Sequence, residues 1–252
     1  MIKRLLFLCL VFIGCSSPVD YSHIKVIEAI DGDTVMLENR HLLRYIGIDT
    51  PETRVRQDGR WIEQPALYGQ EAKSFNRDLV EGKYVRVEFD LESQDKYGRL
   101  LGYVFVDDMF VNEKLLREGY AVLYTYPPNV KYVDRLVSAQ REARQTNRGF
   151  WGAYEIIAAQ DASKWFGHIR TVRGRVQNIF QSGKAVFLNF GDNWRDDFTV
   201  VIFNNAFEYF YKQNIHPVTY YKGKTVEVTG RIREYNGPEI IVNSPQEIII
   251  IK

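Results

Sequence analysis

The sequence predicts a mainly β fold with packed helices (α+β), organised as two small barrels in tandem. Three observations carry the prediction. Short stretches of branched and aromatic residues alternate with tight polar turns. The order strand-strand-strand-helix-strand-strand occurs twice along the chain. The 252 residues give room for two small domains, and 45% hydrophobic with 26% charged residues excludes both a disordered chain and an integral membrane bundle.

In the first half, Ile24 to Ile30 reads as a strand and Asp31-Gly32-Asp33-Thr34 as an acidic turn in which glycine takes positive φ. Val35 to Leu37 begins a second strand, and Asn39-Arg40-His41 turns the chain into a third, Leu42 to Ile48. Pro51 cannot donate to a ladder and biases Thr50 to an extended conformation, so this strand ends near Asp49. Three short strands with tight turns indicate an antiparallel meander. Arg54 to Pro65 is polar and reads as a surface loop, with Asp58-Gly59 its clearest turn. Ala72, Phe75, Leu79 and Val80 recur at helical spacing before Gly82. Tyr84 to Phe89 alternates as a half-buried strand, and Leu100 to Val106 is another. Helices follow at Asn112 to Glu118 and around Val133 to Ala143, separated by the aromatic loop Tyr124 to Asn129. This order suits a closed five-strand barrel of the oligonucleotide/oligosaccharide-binding (OB) type.

In the second half, Val172 to Ile179, Ala185 to Phe190, Phe198 to Phe203, Thr225 to Ile232, Ile240 to Val242 and Ile248 to Ile251 read as strands, with a helix at Asn204 to Tyr211. A second OB-like β-barrel is expected, without sequence repetition of the first. The expected domains are 1–14 signal, 15–23 tether, 24–151 first barrel, 152–167 linker and 168–252 second barrel.

The N-terminus reads as a targeting segment. Lys3 and Arg4 precede the apolar run Leu5 to Ile13, which is too short to span a bilayer as a helix. Gly14-Cys15-Ser16-Ser17 follows, and the whole resembles a bacterial lipoprotein signal with Cys15 as the lipidated residue, although Phe12 stands where leucine is usual. An ordinary secretory signal or an uncleaved anchor shares the same apolar pattern. The lipoprotein reading implies an exported protein, lipid-anchored to a bacterial membrane, on the outer-membrane or periplasmic face in a Gram-negative host. With Cys9 removed and Cys15 lipidated, the folded part has no thiol and hence no disulfide or zinc–cysteine site. Removing Lys3 and Arg4 from 33 basic residues leaves 31 against 32 acidic ones, so nucleic-acid affinity must come from local clusters.

Chemistry concentrates around Arg44 to Thr53. Arg44 sits in an apolar strand, where it needs a structural carboxylate or a phosphate as partner. Asp33, Asp49 and the Thr50 carbonyl supply oxygen donors, which suit calcium or magnesium, although Asp31 and Asp33 alone would also serve as turn formers. Glu52 reads as a general base or a turn cap. Arg99 reads as a second phosphate grip or a solvated turn residue. Tyr97, Tyr124 and Tyr126 would stack on bases or cover the barrel. In the second half, Arg173, Arg175, Trp194, Arg195, Arg231, Arg233 and Tyr235 read either as exposed candidates for single-strand binding or as a solvated sheet face with ordinary core aromatics, with no catalytic set among them.

Asp31-Gly32-Asp33-Thr34-Val35, Arg44 through Thr53, Tyr68-Gly69 with Glu71-Ala72, Asp95-Lys96-Tyr97-Gly98-Arg99, Val111-Asn112-Glu113 and Tyr124-x-Tyr126 occur in that order. Together they resemble the thermonuclease, or staphylococcal-nuclease-like, family over about residues 24 to 151. The resemblance implies calcium held by Asp33, Asp49 and the Thr50 carbonyl, water activated by Glu52, and phosphate bound by Arg44 and Arg99. It further implies Lys96 and Tyr97 at a neighbouring phosphate, and Tyr124 and Tyr126 in the nucleotide pocket. The implied activity is cleavage of DNA and/or RNA with little sequence selection, leaving 3′-phosphate ends. The implied partners are nucleic acid and, through the lipid, a membrane, with the protein a monomer. Residues 54 to 65 depart from the family in content, and the chain before Tyr124 looks one residue shorter; both bear on substrate shape. The second half resembles small nucleic-acid-binding barrels of the anticodon-binding type, through Val172-x-Gly174-x-Val176, Phe187 to Asp192 and Val226-x-Val228-x-Gly230-x-Ile232. The competing expectation is a non-catalytic nucleic-acid-binding lipoprotein on a nuclease scaffold.

Overall fold

The computed structural model describes residues 19–57, 60–63 and 66–251. Cys9, Cys15, the whole apolar N-terminal segment and the Asp58-Gly59 turn lie outside the described residues. The first barrel contains β1 (Ile24–Asp31), β2 (Thr34–Leu37) and β3 (Leu42–Tyr45), which form the expected antiparallel meander. β4 (Gly47–Asp49), a hairpin of β5 (Arg54–Gln57) and β6 (Arg60–Glu63), and α1 (Gly69–Val80) follow. β7 (Tyr84–Glu88), β8 (Leu100–Val106), β9 (Met109–Phe110), α2 (Val111–Arg117), β10 (Val122–Tyr124) and α3 (Val133–Gln145) complete it. The sheet order is β3-β2-β1-β7-β8, and parallel pairing of β3 with β8 closes the barrel. Its core joins Val26, Leu37, Leu43, Tyr45 and Val104 to Leu115, Leu116 and Leu136 of the helices.

The second barrel contains β11 (Ile157–Ala158), β12 (Ile169–Arg175), β13 (Asn178–Gln181), β14 (Ala185–Asn189), β15 (Thr199–Phe203), α4 (Phe207–Tyr211) and α5 (Pro217–Tyr220). β16 (Thr225–Arg231), β17 (Arg233–Glu234), β18 (Pro238–Ile241) and β19 (Ile248–Ile251) finish the chain. β12 and β13 form one bent strand across Val176–Gln177, and β16 and β17 another across Ile232. Both bent strands therefore belong to two sheets, β12-β16-β19 on one side and β13-β14-β15-β18-β17 on the other. The third and fifth strands, β15 and β18, run parallel, as β3 and β8 do in the first barrel. Both units thus have the same OB-type connectivity, as their shared element order predicts. Ile157 and Ala158 pair with Val172 and Arg173, and Ala159 and Ala162 are buried in the second core, so the stretch read as a linker packs against β12.

Two local readings are corrected. Within the stretch 54–65, expected as a loop, β5 and β6 pair antiparallel, with Val55 opposite Ile62 and Arg56 opposite Trp61. A two-stranded ribbon is held by its ladder, so it needs no apolar run that a reader would notice. The strand expected from Leu42 to Ile48 is broken at Ile46. Gly47 has φ +83°, a conformation open to glycine, and a Cβ there would lie 2.4 Å from Leu136 Cδ1. The chain leaves the barrel at this glycine, and β4 pairs with β10 instead.

The barrels meet across a buried and largely polar surface. Glu227 of β16 is 2% exposed and takes ion pairs from Arg144 of α3 and Arg173 of β12. The Thr125 backbone N–H donates to Glu247 Oε1 at 2.9 Å. Val122 and Phe150 from the first half pack with Ile169 from the second.

Candidate active site

Asp33 stands in the β1–β2 turn. A Cβ on Gly32 would lie 2.7 Å from Thr50 Oγ1 and 3.0 Å from Ala72 Cβ, so the turn needs glycine for close approach. Gly32 is not among the glycines with positive φ, which corrects the expected reason for it. Asp33 is buried. Its Oδ2 accepts hydrogen bonds from the Thr50 backbone N–H and hydroxyl, both at 2.9 Å, and Oδ1 accepts from the Thr34 hydroxyl at 3.1 Å.

Arg44, opposite Thr34 on β3, lies between two carboxylates. Its Nη1 is 2.6 Å from Asp33 Oδ2, and its Nη2 donates to Asp49 Oδ1 at 3.0 Å. Burial works against the guanidinium's charge, but Asp33, Asp49 and Glu52 outweigh it and hold Arg44 protonated above its ordinary range. The arginine is thus paired by charge with Asp33 and by one hydrogen bond with Asp49, while its buried Nη1 makes no hydrogen bond.

Past Asp49, Thr50 is buried and Glu52 keeps a 46% exposed side chain. The Ala66 backbone N–H donates to the Glu52 carbonyl at 2.8 Å, fixing the turn that carries it. Loss of water around its carboxyl, with Asp33, Asp31 and Asp49 nearby, pushes Glu52 up to about 7, against the pull of Arg231. Burial, then the charge of Asp33, pushes Asp31 up as well.

Arg99 stands apart from this cluster, with its Nε donating to Asp95 Oδ2 at 2.8 Å. Asp95 Oδ1 also accepts the backbone N–H groups of Tyr97 and Arg99, both at 2.9 Å. Tyr97 is 74% exposed, with Lys96 Nζ 5.1 Å from its ring centre. Tyr124 on β10 pairs with Gly47, and Tyr126 is exposed beyond it.

These groups face one cleft of about 1150 Å³. Arg44, Asp49, Glu52 and Arg99 line it with Lys96, Tyr97, Tyr124 and Tyr126, while Asp33 and Thr50 lie behind the wall. The opposite wall belongs to the second barrel and includes Lys184, Arg231 and Arg233.

Arg231, an exposed residue of the second barrel by its sequence pattern, lies instead inside the first barrel's site with a side chain only 17% exposed. Its Nη2 donates to the Thr50 carbonyl at 2.8 Å and is 3.0 Å from Asp49 Oδ2 and 3.2 Å from Glu52 Oε1. Strand alternation puts Arg231 on the outer face of β16 with Glu227 and Thr229. No signal within that strand says that another barrel covers this face. Of the other candidates there, Arg233 lines the cleft and is 3.5 Å from the Tyr124 hydroxyl. Arg173 is tied to Glu227, Arg175 donates to the Gly223 carbonyl, and Trp194 stacks with Arg195. These four, and the exposed Tyr235, do not line the cleft.

Among the described residues, no group of three or more His, Cys, Asp or Glu side chains stands in metal-holding geometry. The expected donors are two carboxylates and a carbonyl. Asp49 Oδ2 and Thr50 O converge, with Glu52 Oε1, on the Arg231 guanidinium, a stand-in cation. This all-oxygen set suits a hard cation. Asp33 is turned away from the stand-in and toward Thr50 and Arg44.

The cleft thus brings two arginines, a glutamate and exposed aromatic rings together on a barrel wall, groups able to grip a phosphodiester and stack on bases. Residues 42–153 match the family model "Staphylococcal nuclease homologue", and residues 171–250 match "OB-fold nucleic acid binding domain". The chain is 41% identical over 130 residues to the thermonuclease of Staphylococcus hyicus, covering 50% of this chain and 74% of that protein. It is 42% identical over 129 residues to the SPbeta prophage-derived endonuclease YokF of Bacillus subtilis, covering 49% of this chain and 42% of the relative. It is 40% identical over 134 residues to the endonuclease YncB of the same organism, covering 51% of this chain and 61% of the relative. The chain belongs to the staphylococcal nuclease homologue family, with an OB-fold domain after the nuclease domain.

Proposed function

We propose that the protein is a calcium-dependent endonuclease that hydrolyses DNA and/or RNA with little sequence selection and leaves 3′-phosphate ends. The observation that carries this reading is the convergence of Arg44, Glu52 and Arg99 on one cleft, beside the oxygens of Asp49 and Thr50. Asp49 and the Thr50 carbonyl would hold calcium, which would supply positive charge to the phosphate; Asp33, which the resemblance gives as a third ligand, faces Thr50 and Arg44 and would support the Thr50 side of the site. Arg44 and Arg99, both lining the cleft, are the phosphate-binding groups. Glu52 accepts the proton of the attacking water as the new P–O bond forms. The P–O5′ bond breaks, and the departing 5′ oxygen takes up a proton. The exposed rings of Tyr97 and Tyr126 offer stacking surfaces, which accords with low sequence selection because every base has a π face. Lipid attachment at Cys15 would hold the enzyme at the surface of a bacterial membrane after export.

Nuclease assay of the protein with calcium and with excess chelator tests the reading. Cleavage in calcium alone, with 3′-phosphate ends on the products, is expected. Undiminished cleavage in chelator would overturn the metal assignment, and failure to cleave any nucleic acid in calcium would favour a binding-only protein.

A further inference from the structure

Arg231 reaches its position from the far barrel and is braced there. Its Nη1 donates to the Gly167 carbonyl at 2.9 Å, and its Nε is 3.2 Å from Asp49 Oδ2. The Gly167 backbone N–H in turn donates to the Ile232 carbonyl at 2.8 Å. The second barrel therefore presents the guanidinium as part of a tied corner. The tip of that side chain sits among two carboxylate oxygens and one carbonyl oxygen, within 2.8–3.2 Å of all three.

Nη2 carries two N–H groups and faces three oxygens, so it neutralises the cluster by charge as much as by directed bonds. A hard divalent cation takes such oxygens at about 2.3–2.6 Å. Nη2 already engages Asp49 Oδ2 and Thr50 O, the oxygens an ion would coordinate, and two cations sharing these oxygens in a partly buried site repel.

Resting on the reading that the site takes a divalent metal, we infer that Arg231 is a tethered cation that competes with calcium for the Asp49 and Thr50 oxygens while also pairing with Glu52. Metal loading requires the second barrel to withdraw this side chain. The OB domain thereby sets the metal affinity of the nuclease site. Arg231 acts through the metal's oxygens and is a positioning residue.

The test is calorimetric titration of the full chain, freed of metal, with calcium chloride and no substrate. Arg231→Ala is expected to bind calcium at least tenfold more tightly than wild type. Arg231→Lys, whose single ammonium reaches fewer of the three oxygens, is expected to fall between them, and it carries the test if the alanine variant does not fold. Arg233→Ala removes the same charge from the same cleft without touching these oxygens, and a change within about threefold is expected. Equal affinities for wild type and both Arg231 variants would overturn competition while leaving the metal site standing. An equal gain in Arg231→Ala and Arg233→Ala would overturn it in favour of bulk charge. No calcium binding by any of the proteins would overturn the metal reading, and competition with it.

Discussion

The Glu247 carboxylate accepts a hydrogen bond from the backbone N–H of Thr125, 122 residues earlier in the chain, and so joins the two barrels through a buried group. Its other oxygen accepts from the Asn243 backbone N–H at 2.9 Å. Burial pushes its carboxyl up to about 7, against these hydrogen bonds.

A raised acid binds its proton more tightly in the folded state. Its contribution to stability is fully present below its ordinary value of 4.5 and is lost as pH rises through about 7. The loss across this window is roughly 3 kcal/mol at most. Glu247→Gln, which cannot ionise, is expected to flatten the dependence. Urea unfolding at pH 5, 6, 7 and 8 measures it, and an unchanged slope in the variant would exclude Glu247 as the source.

Arg44 has both a structural and a chemical consequence. Arg44→Ala leaves Asp33 and Asp49 facing one another without their shared cation. Stability is expected to fall by about 3 kcal/mol, as when one partner of a buried ion pair is removed. Turnover is expected to fall about 10²–10³-fold. Arg44→Lys keeps the charge without the fork, so it should regain more stability than rate. Parallel unfolding curves and kcat values separate the two effects.

Glu52 is active as a base only when deprotonated, so kcat/KM is expected to rise with pH through about 7. Glu52→Gln should remove this limb and lower kcat by about 10²–10⁴-fold. A pH–rate profile on a short oligonucleotide measures both. Persistence of the limb in the variant would move the titration to another group.

Tyr97 is open to solvent, so Tyr97→Ala should change stability by about 0.5 kcal/mol or less. If the ring stacks on a base, single-strand binding weakens by about 1–3 kcal/mol. Fluorescence anisotropy with a labelled oligonucleotide in chelator reads binding without cleavage.

The barrels were legible because local pattern determines them. Alternation at Val85, Val87 and Phe89, helical spacing at Ala72, Phe75 and Leu79, and the repeated element order each report on burial within one unit. Arg44, Asp49 and Glu52, named from one stretch of nine residues running from β3 past β4, line the same cleft. The break at Gly47 was hidden, since an apolar run shows composition and not φ. The β5–β6 ribbon was hidden among charges. Arg231 was hidden for a different reason. Its neighbours on β16 describe a solvated outer face, and only the docking of two barrels turns that face inward.

The distance along the chain between Arg231 and Asp49 has a consequence in time. The first barrel's last helix ends at Gln145, and 86 further residues, 146 through 231, must be made before the guanidinium exists. An intermediate with the first barrel folded and the second not would therefore hold these carboxylates without that cation. The acidic cluster is then at its most repulsive, with Arg44 its main relief. The order of the two domains in the chain thus decides when the cluster is neutralised, and a circularly permuted chain with the OB domain first would reverse that schedule.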